Sequence, residues 1–152
     1  MAVIVQNLQE EIAVTERIES AARQAAEHVL AVLSPAGEVE LGITFVDDAA
    51  IRDLNRRYRS KDRAADVLSF PMGEEEPLEN GTRVLLLGDV VISLPTAARQ
   101  AEADLAAEVA RLVVHGVLHL LGYDHEREED AVRMRAREEE ILQRLGGASS
   151  GG

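Results

Sequence analysis

Hydrophobic and polar positions alternate along Val39, Leu41, Ile43 and Phe45, with Glu40, Gly42 and Thr44 between them, as in a strand with one covered face. Ala2 to Val5 reads as a short first strand. Between the two, Ile18, Ala21, Ala22, Ala25, Val29 and Leu33 recur at helical spacing behind Thr15, a residue suited to an N-cap. Ser34-Pro35-Ala36-Gly37 predicts a turn. Asp47 or Asp48 then caps a second helix with Ile51, Leu54 and Tyr58 on its apolar side. Val67-Leu68-Ser69-Phe70 predicts a short strand stopped by Pro71. The acidic stretch from Met72 to Thr82, with Gly73, Pro77 and Asn80-Gly81, reads as a loop. Val84 to Ile92 is almost continuously apolar, the mark of a strand covered on both faces.

The remaining pattern is helical. Ser93 or Pro95 opens one helical stretch, and Asp104 offers a fresh N-cap for another from about Leu105 to Leu121. From Glu126 a last helix follows, with Val132, Met134, Ile141, Leu142 and Leu145 as its apolar side. Gly146 to Gly152 reads as a low-complexity, disordered tail behind a single domain of residues 1–145. The expected fold is therefore α/β (α+β), a small mixed four-stranded sheet packed with about five helices.

Composition narrows the chemistry. A chain of 152 residues fits one domain with a sizeable core. No apolar run reaches membrane-spanning length and the N-terminus lacks a secretory pattern, so no membrane partner and a cytoplasmic location are expected. The absence of cysteine restricts any metal to nitrogen and oxygen ligands. A formal charge of −12 argues against wholesale coating of nucleic acid. It leaves room for a local basic patch, and Arg52, Arg56, Arg57, Arg59, Lys61 and Arg63 crowd into one stretch. Such runs are usually solvated; the alternative is an anion-binding lip, for which guanidinium suits phosphate.

Three of the four histidines fall between His115 and His125. On a helix His115 and His119 share one face, one turn apart. Gly122 suits the left-handed position that ends a helix, so the chain can turn and bring His125 toward the same point. Three imidazoles with a coordination place left for water form a catalytic, zincin-like site rather than a closed structural one. His28, alone in an alanine-rich helix, reads as a packing residue. Asp89, charged inside an apolar strand, calls for a partner or a role in the site. Asp124 reads either as a hydrogen-bond partner orienting an imidazole or as the cap of the following helix. Met134 reads as core.

The runs Leu54-Asn55-Arg56-Arg57-Tyr58-Arg59-Ser60-Lys61-Asp62, Asp66-Val67-Leu68-Ser69-Phe70-Pro71, Leu87-Gly88-Asp89-Val90-Val91-Ile92-Ser93 and His115 to His125 together resemble the YbeY endoribonuclease family. The resemblance covers about Val39 to Leu145. It implies a single-strand-specific, metal-dependent endoribonuclease of ribosomal RNA maturation, near the 3′ end of the small-subunit RNA, and of ribosome quality control. His115, His119 and His125 would then hold one zinc ion, or another divalent transition metal. Arg59, His115 and His119 would carry the catalysis. The partners would be single-stranded or ribosomal RNA and the small subunit with its proteins. One departure is Ala64-Ala65, where the family often has Pro-Thr before the aspartate.

The histidine signature also resembles the H-E-x-x-H-x-x-G-x-x-H pattern of metzincin peptidases, whose glutamate is the general base. Here that position is Gly116, which counts against peptide hydrolysis by that route. Two rival readings stand beside the nuclease: a non-catalytic ribosome-assembly factor with a structural metal, and a metal hydrolase of another substrate class, peptidase or esterase.

Overall fold

The computed structural model describes residues 1–33, 37–61, 63, 65–123 and 128–150, with backbone alone for residues 128 and 146–150. Its elements run in the order β1 (Ala2–Asn7), α1 (Glu16–Leu33), β2 (Glu38–Val46), α2 (Asp48–Arg59), β3 (Val67–Pro77), β4 (Arg83–Ser93), α3 (Leu94–Gln100), α4 (Leu105–Leu120) and α5 (Glu128–Ser150). The four strands form one mixed sheet in the order β1-β2-β4-β3. β1 and β4 lie parallel to β2 on either side, and β3 pairs antiparallel with β4. This is the α/β arrangement expected from the pattern.

The polar residues that flank each apolar run cap the helices. Thr15 Oγ1 accepts from the Ile18 amide at 3.2 Å. Asp47, rather than Asp48, caps α2 by accepting from the Ala50 amide at 2.8 Å. Ser93 caps α3 and Asp104 caps α4 through its bond from the Ala107 amide at 2.7 Å. Asp48, released from capping, accepts from Ser93 Oγ, Thr96 Oγ1 and Arg99 Nη2 and so ties α2 to the start of α3. Burial pushes its carboxyl up, but these three bonds together with the Arg99 charge hold it below the ordinary range.

The sheet is covered differently on its two faces. Val39, Leu41, Ile43 and Phe45 of β2, with Val90 and Ile92 of β4, pack under α1, α4 and α5 in the main core. On the other face Val46, Leu68 and Val91 receive Ile51 of α2. Two apolar positions of the sequence pattern turn out exposed. Tyr58 is 66% exposed and meets Phe70 edge-on at 5.6 Å between ring centres, and Val132 is 55% exposed.

Strand β3 departs most from expectation. It does not stop at Pro71 but continues to Pro77, across an irregularity between Pro71 and Glu74. The pattern could not show this, because Glu74, Glu75 and Glu76 are exposed on both faces. They are held by backbone pairing to Leu86, Leu85 and Val84. A proline is tolerated because β3 is an edge strand, where a missing N–H leaves no neighbour unbonded. Opposite Pro71, Gly88 has φ +142°, and a Cβ there would lie 2.3 Å from the Phe70 carbonyl oxygen, so only glycine lets β3 lie this close. At the other end of the chain, α5 runs to Ser150, past the Gly146 at which the sequence predicts a tail. The predicted turn at residues 34–36 lies outside the described residues.

Candidate active site

Helix α4 supplies the floor of the site. From Leu112 to Leu120 every residue is buried except His115 and His119. The flanking apolar side chains fix the helix against the sheet and α1, at roughly 2 kcal/mol for each fully buried valine or leucine. The two imidazoles are therefore the most exposed side chains in this half of α4. Their ring centres are 4.8 Å apart, in an edge-to-face arrangement. After them Leu121 and Gly122 close the helix. Gly122 has φ +98°, its amide donates to the His119 carbonyl at 3.0 Å, and Tyr123 donates to Leu118 at 3.0 Å. The chain turns where the sequence predicts. His125 and Asp124 lie outside the described residues, and among the described residues no group of three ligating side chains is gathered.

Gly116, between the two histidines, has a steric cause. A Cβ at this position would stand 2.6 Å from Val90 Cγ1. Helix α4 thus lies on β4 so closely that any side chain would force a shift, and the glutamate of a peptidase pattern is not accommodated without one. The same close approach lets Ser69 Oγ donate to the Gly116 carbonyl at 2.8 Å, joining β3 to α4 beside the imidazoles.

The walls come from the basic stretch and the start of β3. His115, His119, Arg59, Lys61, Arg63, Asn55 and Asp66 line a cleft of about 440 Å³. Arg59 Nη2 donates to the Ser69 carbonyl at 2.9 Å. A guanidinium carries five N–H donors, so this bond orients the group without exhausting its capacity for an anion. α2 ends at Ser60 in the left-handed conformation, φ 57°, which turns Lys61 and Arg63 back over the cleft. Buried Asn55 secures that turn: its carbonyl accepts from the Lys61 amide at 3.2 Å, and its Nδ2 donates to the Arg63 carbonyl at 3.0 Å. Asp66 is held by the Val67 amide at 2.8 Å, and Gln100 Nε2 bridges Asp66, at 3.3 Å, and Glu108, at 3.0 Å. The Arg111 hydrogen bond holds the Glu108 carboxyl below the ordinary range despite partial burial.

The structure therefore brings Arg59, His115 and His119 into one cleft, with Lys61 and Arg63 on its rim. Arg52 and Arg56 stand elsewhere, around a separate hollow with Asp53. Arg56 and Arg57 both pair with Asp53 on the solvated helix surface. Asp89 is not in the cleft. Its neighbour Val90 faces α4, so Asp89 points to the opposite sheet face, where it fills the space beside Gly42. His28 lies in α1 with its Nε2 buried and unpartnered. Met134 is core, 2% exposed.

One contributor was invisible to the pattern. Glu138 of α5 contacts His115 Nδ1 through Oε1. It lies 23 residues away in a run of three glutamates, and no local signal separates it from its neighbours.

Fold and cleft together define an α/β domain that presents paired imidazoles and a backbone-anchored arginine to solvent. Comparison with known proteins is more specific, and places the chain in the YbeY family: the family model described as endoribonuclease YbeY matches residues 4–146. An endoribonuclease YbeY of Pelotomaculum thermopropionicum is 52% identical over 95% of this chain and 97% of its own. One from Desulforamulus reducens is 51% identical over 96% of this chain and 98% of its own. The fold matches the solution structure of TM1509 from Thermotoga maritima with a TM-score of 0.60 and 22% identity, over 98% of this chain and 92% of that one.

Proposed function

We propose that this chain is a metal-dependent endoribonuclease that hydrolyses phosphodiester bonds of single-stranded RNA. Its substrate is maturing ribosomal RNA, near the 3′ end of the small-subunit RNA, in rRNA processing and ribosome quality control. The observation that carries the reading is the cleft itself: two helix-borne imidazoles on its floor, and Arg59 fixed on its wall by the Ser69 carbonyl.

His115, His119 and His125 would hold one zinc ion, and a set of imidazoles with no thiolate suits that metal and its neighbours nickel, copper and iron. When bound, such an ion supplies Lewis acidity at neutral pH. The chain's own groups do the rest. Phosphodiester cleavage builds negative charge on the phosphoryl oxygens, and Arg59 is oriented in advance toward the space where that charge develops. Lys61 and Arg63 draw the RNA backbone to a rim that is locally basic although the whole molecule is acidic. The crowding at Gly116 removes the peptidase's general base, which disfavours peptide substrates. Because the total charge is −12, recognition draws on the small ribosomal subunit and its proteins as well as on the RNA. No described helix is long and apolar enough to cross a membrane.

The test is His115→Ala and His119→Ala, each assayed for metal content and for cleavage of a defined single-stranded RNA with and without chelator. Metal and cleavage are expected to fall together. Metal loss with undiminished cleavage overturns the mechanism. RNA that stays intact with the metal-loaded wild type favours the assembly-factor reading instead.

A further inference from the structure

We propose that Glu138 is a positioning residue that keeps a proton on Nδ1 of His115 and sets the tilt of its ring. The inference rests on the reading of His115 as a metal ligand, but it concerns the chain's own atoms.

Glu138 meets the ring at Nδ1, with the His115 and Glu138 side chains 29% and 16% exposed. An ionised carboxylate is an acceptor only. Whatever touches it at hydrogen-bond range must donate, so a proton of His115 belongs on Nδ1. The ring cannot flip without placing a carbon against the carboxylate and losing the bond.

The helix carrying Glu138 is itself held firmly. Met134 and Ile141, one turn to either side, are 2% and 0% exposed in the main core. Glu138 thus sits on the inward stripe of α5, where an unpartnered carboxylate would be costly to bury. Its two neighbours behave differently: Glu139 is exposed, and Glu140 pairs with Arg137 and Arg144 on the surface. Of the three glutamates only Glu138 turns toward α4. There it also feels the charge of Arg111, one turn before His115. Partners of this kind fix ring orientation and raise ligand basicity, and losing one weakens metal affinity about 10- to 100-fold.

The experiment uses the full chain in wild-type, Glu138→Ala, Glu138→Gln, Glu139→Ala and His115→Ala forms. Zinc affinity is measured by competition with a chromophoric chelator, and the His115 tautomer of the metal-free protein by ring ¹⁵N NMR. The wild type is expected to show Nδ1–H. E138A should lose that single tautomer and bind zinc about 10- to 100-fold more weakly. E138Q keeps an amide oxygen to accept from Nδ1–H and should recover most of the tautomer and at least half of the lost affinity on a logarithmic scale. E139A should match the wild type. Wild-type tautomer and affinity in E138A overturn the proposal. So does an E138Q as weak as E138A, which would make the carboxylate a direct ligand. If His115→Ala binds zinc as the wild type does, the metal reading fails separately, and the NMR result still decides the role of Glu138.

Discussion

Replacing Gly116 by alanine tests the closeness of α4 to the sheet. The added Cβ would lie 2.6 Å from Val90 Cγ1, 3.1 Å from Val90 Cγ2 and 3.3 Å from Ser69 Oγ. Val90 is fully buried in the central region of the sheet and β-branched, so it has no flexible end to swing aside. Overpacking of this sort costs about 1–3 kcal/mol, whereas exchanging glycine for alanine inside a helix returns about 1 kcal/mol. The expected net loss is therefore about 1 kcal/mol, with an upper end near 2. Val90→Ala removes the methyl groups that clash, and in the double mutant the new methyl occupies part of the space they leave. The double mutant should then be at least about 1 kcal/mol more stable than the sum of the single changes predicts. Urea unfolding of the four proteins, followed by far-ultraviolet circular dichroism, measures both quantities. A G116A protein about 1 kcal/mol more stable than wild type, with additive double-mutant energies, would show that helix propensity acts alone. The close packing invoked here to exclude a peptidase glutamate would then be refuted.

Other outcomes follow from the same geometry. Arg59→Ala should reduce RNA cleavage by roughly 100-fold or more, the scale seen when one donor to a developing oxyanion is lost, while zinc content stays at the wild-type level; equal cleavage by the variant would remove Arg59 from the mechanism. For Asp48 the folded pKa lies below the unfolded one, so its contribution to stability is present above the ordinary carboxylate value, about 4, and disappears as pH falls through the lower folded value. Asp48→Asn should accordingly unfold more easily at pH 7 and lose less additional stability than wild type below about pH 4. The effect is modest because the side chain is 38% exposed, and parallel acid-unfolding curves for the two proteins would contradict the assignment.

Much of the frame was written in local chemistry. The alternation of β2, the caps at Thr15 and Asp104, and the turn at Gly122 depend on neighbours in the chain and are where the pattern places them, while the structure chose Asp47 over Asp48 and Ser93 over Pro95 where the pattern left a pair. What escaped depends on partners far along it. The second half of β3 is held by backbone bonds to β4, which leave no trace in a polar, two-sided run of glutamates. Tyr58 and Val132 occupy apolar positions that stay largely exposed, Tyr58 with only an edge-on contact to Phe70 among the described residues. At the cleft, His115 and His119 were legible because their spacing marks them, whereas Arg59 was set apart from the other arginines of its run only by the family resemblance. The work of Ser69 and Glu138 was not, because each bonds to a residue on a distant element, and that of Asn55 was not, because its bonds go to the backbone of the turn after α2. Gly116 was readable as a missing base but not as a contact surface, since Val90 lies 26 positions earlier.

The histidine helix has a last consequence. Between Leu112 and Leu120 the same turn-by-turn stretch both seals the interior and offers its two rings to solvent. The backbone that carries the two imidazoles therefore cannot be displaced without disturbing the centre of the molecule. What holds the interior together also holds the two rings at their spacing.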